Sequence, residues 1–184
     1  GMLNSDDFIE LDAGVRIANS FHCGVDFVYS DTNILGANGK VDSIKMAEDP
    51  FGKALPYRMP FVHQSFYVLR NTLIDVGLYD TQYRLSADFE LVCRIVEKKK
   101  KGYRVPGVLA TFRAGGASGD LYTFVEHRRI AVRYGMNNLW SWLKLSESLI
   151  KTLVYRILPL VVTNRLRDII GSSYITPDDR DVGR

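Results

Sequence analysis

The sequence predicts an α/β fold: a sheet flanked by helices, with further helices toward the C-terminus. Two observations carry this. Short runs rich in β-branched and aromatic residues alternate with segments whose apolar residues recur at helical spacing. The 184 residues, 46% hydrophobic and 24% charged, amount to one ordinary globular domain, which excludes a collagen, a coiled coil or a disordered tail. The best uninterrupted apolar runs, Ile157 to Val162 among them, are far shorter than the roughly 18 to 20 residues that cross a bilayer. No basic stretch followed by an apolar one opens the chain, so no secretion signal is expected, and Gly1 before Met2 reads as a tag residue. Cys23 and Cys93 are too few for a disulfide framework and read as reduced core thiols.

The elements follow in order. Leu11, Val15, Ala18 and Phe21 recur at helical spacing, which places a helix near 10–22. A β-rich run covers Asp26 to Ser30. Asn38-Gly39, tolerant of positive φ, reads as a tight turn between Asn33–Leu35 and Val41–Met46. Residues 47–60, with Pro50, Pro56, Pro60 and Gly52, show no period and read as a surface loop. Phe61 to Arg70 reads as a buried strand, and Asn71 as the cap of a short helix that ends at Gly77.

Ser86 is placed as N-cap of a helix carrying Phe89, Val92, Cys93 and Val96 on one face. Lys98 to Lys101 fall in its last turn, where cations offset the helix dipole, and Gly102 reads as its stop. That run is a solvated helix end rather than a nucleic-acid patch. A strand at Gly107–Phe112 leads into the glycine-rich loop Arg113–Gly119, and Asp120 caps a helix to about Tyr134. Residues 138–170 read as two amphipathic helices broken at Pro159, and 172–184 as a loose polar tail.

Charge is divided along the chain. Residues 1–100 hold 11 Lys and Arg against 14 Asp and Glu, and residues 101–184 hold 13 against 7. The basic half suits a phosphate-rich partner or an anionic membrane surface, or is simply a solvated face.

Four features invite a chemical reading beside a structural one. Asp6-Asp7, read as lying at a strand-to-helix junction, can hold a divalent cation against a diphosphate, or Asp7 caps the next helix. His63-Gln64 can hydrogen-bond a sugar or phosphate, or His63 is a core histidine. Asp88 at a helix start is a candidate general base if it faces a cleft, or an ordinary first-turn acid. The loop at Gly115-Gly116-Ala117-Ser118 can cradle an anion, or is a turn.

The order of these pieces carries a resemblance. The runs Leu3-Asn4-Ser5-Asp6-Asp7, Val28-Tyr29-Ser30-Asp31, Pro60-Phe61-Val62-His63-Gln64-Ser65, Gly77-Leu78-Tyr79-Asp80, Ala87-Asp88-Phe89-Glu90-Leu91 and Arg113-Ala114-Gly115-Gly116-Ala117-Ser118 stand in that sequence over residues 2–135. Together they resemble the inverting glycosyltransferases of family 2, and more closely the bacterial branch that builds capsular, exopolysaccharide or O-antigen units, the colanic-acid-type transferases. The resemblance implies a partial GT-A fold with a mixed sheet over 1–135, a helical extension at 136–171 and a tail at 172–184.

It also implies roles. Asp6 and Asp7 would hold Mg²⁺ or Mn²⁺ against the diphosphate of a nucleotide-sugar donor, with Asn4 standing where many relatives carry another Asp. Asp88 would be the base that deprotonates the acceptor hydroxyl. His63 and Gln64 would serve the acceptor or diphosphate side, and Arg113, Gly115, Gly116 and Ser118 the loop over the donor phosphates. The reaction would transfer a sugar to a saccharide or lipid-linked acceptor in the cytoplasm, at the inner face of the membrane.

Two βαβ-type units that bind the nucleotide precede the Asp-rich motif in this family and are not in this sequence. The chain alone is therefore expected to be inactive, and to self-associate over the sheet edge those units would cover. Residues 139–170, with Trp140 and Trp142 among basic residues, suit an anionic membrane surface, or form a cap on the core. The competing function is a non-catalytic remnant acting as a saccharide-binding or assembly module. A nucleotidyltransferase reading is weaker, since no Gly-rich donor loop with its lysine is present.

Overall fold

The computed structural model describes residues 1–22, 24–36, 38–113, 121–157 and 174–175. The strands are β1 (Phe8–Ile9), β2 (Phe27–Leu35), β3 (Val41–Lys45), β4 (Phe66–Val68), β5 (Gly102–Arg113) and β6 (Tyr174–Ile175). The helices are α1 (Ala13–Ser20), α2 (Arg70–Val76), α3 (Ala87–Glu97), α4 (Leu121–Arg133) and α5 (Asn138–Ile157). The fold is α/β with a mixed sheet: the order is β1-β5-β2-β3-β6, with β4 also paired to β2. Among the described strands, only β2 and β5 run parallel.

Alternation along β2 supplies both layers of the core. Val28 faces α1 and packs with Ala13, Val105 and Leu109. Its neighbours Phe27 and Tyr29 face the other way, onto Phe61, Phe66, Val76, Leu91 and Ile95. On that side Phe61 stacks on Phe66 at 5.4 Å and on Tyr29 at 4.9 Å between ring centroids. Each fully buried side chain of this size contributes about 2 kcal/mol of apolar burial. A third cluster, Phe89, Cys93 and Ile130, joins α3 to α4. Burial, helped by the nearby Glu90 charge, pushes the Cys93 thiol up to about 12, as befits an unreactive core cysteine. Cys23 lies outside the described residues.

The hairpin, the 47–60 loop and the stop at Gly77 follow the sequence reading. The β2–β3 turn has Gly39 at φ 74°, with the Lys40 N–H donating to Asn38 Oδ1 at 2.8 Å. Gly77 ends α2 at φ 99°.

Several expectations are corrected. α1 covers Ala13, Ile17 and Ser20, and the expected Phe21 also packs on this cluster, while the expected Leu11 and Val15 are exposed. The helix starts only at Ala13, and Arg16 anchors its inner face by donating to the carbonyls of Pro106 and Val108 on β5. The β-rich run and Asn33–Leu35 join into one strand. Residues 61–70 do not form one: His63–Ser65 is a 3₁₀ turn, only 66–68 is strand, and α2 begins at Arg70 with Leu69, not Asn71, in the cap position. The turn is pinned by the Ser65 hydroxyl, 2.8 Å from both Val62 O and Ser30 O.

α3 is buried on more than one face, adding Leu91 and Ile95 to Phe89, Val92 and Cys93, because it lies between two clusters. It ends at Glu97. The lysines that follow turn back onto α2, Lys98 donating to Asp75 O at 2.9 Å and Lys100 approaching the Asp75 carboxylate at 3.4 Å. Strand β5 begins at Gly102, ahead of the expected start at Gly107, and passes through Pro106. The parallel register shifts there, Tyr29 pairing Arg104 and Asp31 pairing Val108, and Gly107 takes φ 73° as a bulge residue. α5 is described to Ile157, and Pro159 and the expected second helix lie outside the described residues, as does Asp120. The tail is not wholly loose, since Tyr174 and Ile175 pair with Lys45 and Ile44.

Gly102 does not stop α3; it opens β5 opposite Phe27. A Cβ there would lie 2.4 Å from the Phe27 ring, which has no exposure and cannot swing aside. Gly102→Ala is expected to destabilise the protein by about 2 kcal/mol, measured by urea unfolding with an unchanged m-value.

Candidate active site

The site is built where β5 ends. Asp7 precedes β1 in a turn that begins at Ser5, with its N–H donating to Asn4 O at 3.2 Å. This is not a strand-to-helix junction, and Asp7 caps no helix. Its side chain is buried and holds two elements together: Oδ2 accepts from Gln64 Nε2 at 2.6 Å, and Oδ1 from the Arg113 N–H at 3.0 Å. The short Gln64 contact is charge-assisted, the stronger class of hydrogen bond. Asp6, one residue earlier, is exposed.

The 3₁₀ turn sets His63 beside Gln64 but facing another way. His63 Nε2 lies 3.5 Å from Asn4 Nδ2, and Nδ1 lies 3.5 Å from Asp88 Oδ2. The imidazole thus lies between the Asn4 amide and the Asp88 carboxylate, one ring nitrogen facing each. Asp88 sits in the first turn of α3, where a carboxylate complements the helix N-terminus. Its Oδ1 accepts from the Phe89 N–H at 2.8 Å. Both His63 and Asp88 keep about a quarter of their side-chain surface exposed.

His63 and Asp88 open onto a cavity of about 220 Å³, lined also by Arg70, Tyr79, Phe66 and Leu73. That is below the roughly 300 Å³ at which drug-sized pockets begin, so it admits a single small ligand group. Burial and the Asp88 charge raise the Tyr79 phenol above its ordinary value, so Tyr79 meets a ligand as a neutral hydroxyl.

Two residues near Asp88 carry no sequence signal. Burial lowers His127 below its ordinary value, although Asp88 and Glu126 both act to raise it, and its ring lies 4.6 Å from that of Phe89. Glu126 accepts from the N–H groups of Arg84, Leu85 and Ser86 at 2.8 to 2.9 Å, at the entry to α3. Burial would raise that carboxyl, but the three donors outweigh it and hold it below its ordinary value. Ser86 occupies the N-cap position without a side-chain cap bond. Nothing local in the sequence links residues some 40 positions apart.

The other acid of the Ala87–Glu90 run turns inward. Glu90 has no exposure and accepts from Arg94 at 2.6 Å and Tyr134 Oη at 2.7 Å, so its role is structural. Arg113 is half-buried, and its backbone N–H is the group that meets Asp7. Gly115, Gly116 and Ser118 lie outside the described residues.

Of the predicted residues, Asp7, His63, Gln64, Asp88 and Arg113 are thus brought together, with Asn4 as an added member. Among the described residues no group of three His, Cys, Asp or Glu could hold a metal ion. Mg²⁺ is commonly held by one or two carboxylates plus substrate phosphates, and exposed Asp6 fits that partial role. Asp7 fits it less directly, since both its oxygens already accept protein hydrogen bonds.

No protein-family model matches the chain, and no curated protein matches it.

Proposed function

We propose that the chain carries the metal and acceptor side of an inverting glycosyltransferase of family 2 with a GT-A fold, acting on a saccharide or lipid-linked acceptor. The observation that carries this reading is Asp88 opening onto a small cavity with His63 placed between it and Asn4. No residue of this chain is assigned to the base or ribose of the nucleotide.

In this reading an acceptor hydroxyl enters the cavity and is held near Arg70 and Tyr79. Asp88 takes its proton as the oxygen attacks the anomeric carbon. The bond from that carbon to the donor diphosphate breaks on the opposite face, and a nucleoside diphosphate leaves with the electron pair. His63, 3.5 Å from Asp88 on one side and 3.5 Å from Asn4 on the other, positions the carboxylate toward the cavity. Asp7 positions the Asp6 turn against Gln64 and the end of β5. A Mg²⁺ or Mn²⁺ ion held by Asp6 would neutralise charge on the departing diphosphate.

A chelator is expected to abolish acceptor-dependent nucleotide release, and added Mg²⁺ or Mn²⁺ to restore it. Asp6→Asn should raise the metal concentration needed for half-maximal rate by about tenfold. One observation favours the second reading, a saccharide-binding module without catalysis: the Asp7 carboxylate is buried and committed to protein donors. Saccharide binding that is indifferent to chelator, with no nucleotide release, is the outcome that reading expects.

A further inference from the structure

We propose that the outer face of α5 is a lipid-facing surface that seats the protein on an anionic membrane. On this helix Ser141 is buried, and opposite it Leu139, Leu143 and Ile150 recur at i, i+4 and i+11, exposed by 69%, 51% and 60%. Trp140 and Trp142 flank that ridge, exposed by 59% and 55%. A surface helix ordinarily turns its polar face outward; α5 turns out an apolar one, of the kind that marks an interaction surface.

Side-chain chemistry selects lipid as the occupant. Indole rings beside an aliphatic ridge match the depth at which Trp resides in a bilayer interface. Charge selects an anionic surface. Among the described side chains of α4 and α5, the acids are Glu126, which is turned inward onto the entry to α3, and Glu147, which pairs with Lys144. On α4, Arg128 lies 4.0 Å over the Trp142 ring and Arg129 is exposed between Val125 and Val132. No helix among the described residues is long and apolar enough to cross a membrane, so the contact is one of lying on the surface. The inference is independent of the proposed reaction.

Trp140 and Trp142 are the only tryptophans in the sequence, so intrinsic fluorescence reports this face alone. The full chain is mixed at low salt with vesicles of phosphatidylcholine, with and without phosphatidylglycerol, and followed by emission and flotation. The expected result is a blue shift and co-flotation with the phosphatidylglycerol vesicles, weaker on phosphatidylcholine alone and weakened by salt. Arg129→Gln should loosen binding by about fivefold. Leu143→Glu combined with Ile150→Glu should loosen it by more than about tenfold, with an unchanged circular dichroism spectrum. Absence of shift and flotation, or equal binding to both vesicle types, overturns the proposal. So does a blue shift that grows with protein concentration without lipid and vanishes in the double variant, since a second copy would then be the occupant.

Discussion

Asp88→Asn is expected to lower sugar transfer by about 10³-fold, within the range that a positioned general base contributes. The expectation rests on geometry. Asp88 projects from the first turn of α3 into the cavity, with one oxygen held by the Phe89 N–H and the other facing His63. Asn keeps the size and can still accept from Phe89, but it cannot take the acceptor's proton. The melting temperature should move little while the rate collapses. His63→Gln, which leaves the carboxylate in place but less well aimed, should lose about tenfold. The assay is acceptor-dependent release of UDP or GDP from nucleotide sugars, run with this chain and with a longer one that continues ahead of residue 1. An Asp88→Asn variant that transfers at the wild-type rate would make Asp88 an ordinary first-turn acid.

The second large effect is on stability. Glu126→Ala should cost about 3 kcal/mol, because it leaves the N–H groups of Arg84, Leu85 and Ser86 without their acceptor at a buried junction. For a domain of this size the melting temperature should fall by about 10 °C. Glu126→Gln, which keeps an acceptor oxygen, should fall between. The pH dependence has a definite sign. A carboxyl held below its ordinary value of 4.5 in the folded protein stabilises fully above that value, and the stabilisation is lost as pH falls from there through the lower folded value. Wild type should therefore lose stability on acidification below about pH 4.5 more steeply than Glu126→Ala. Parallel curves for the two would remove Glu126 from its role. Because this carboxylate fixes the entry to α3, Glu126→Ala should also blur the placement of Asp88 and reduce turnover in protein that remains folded.

What was legible in the sequence was local chemistry. Asn38-Gly39 announced its hairpin and Gly77 its helix end, because positive φ is a property of the residue. The start of α3 at Ser86 was found for a reason that proved incomplete, since the entry is held from α4 by Glu126 and not by the Ser86 side chain. The short motifs also contain residues that meet in the fold: Asp7 with Gln64 and Arg113, and His63 with Asp88.

Tertiary choices were not legible. Ala13, Ile17 and Ser20 have the same spacing as Leu11, Val15 and Ala18, and only β5 decides which set is covered. Pro106-Gly107 breaks most strands, but here the bulge and the Arg16 anchor carry β5 through it. Gly102 looked like a helix stop because the ring it must clear is Phe27, 75 positions earlier. Asp7 links the 3₁₀ turn to the end of β5, which no local pattern around Asp6-Asp7 announces, because its partners Gln64 and Arg113 lie 57 and 106 positions away.

The most direct test is acceptor-dependent nucleotide release from a panel of UDP- and GDP-sugars with Mg²⁺ or Mn²⁺, with the anomeric configuration of the product read by NMR. The expected result, in the longer chain, is release that requires metal and acceptor, gives the inverted anomer and disappears in Asp88→Asn. Saccharide binding at the cavity with no release from any donor, in this chain and in the longer one alike, would contradict it.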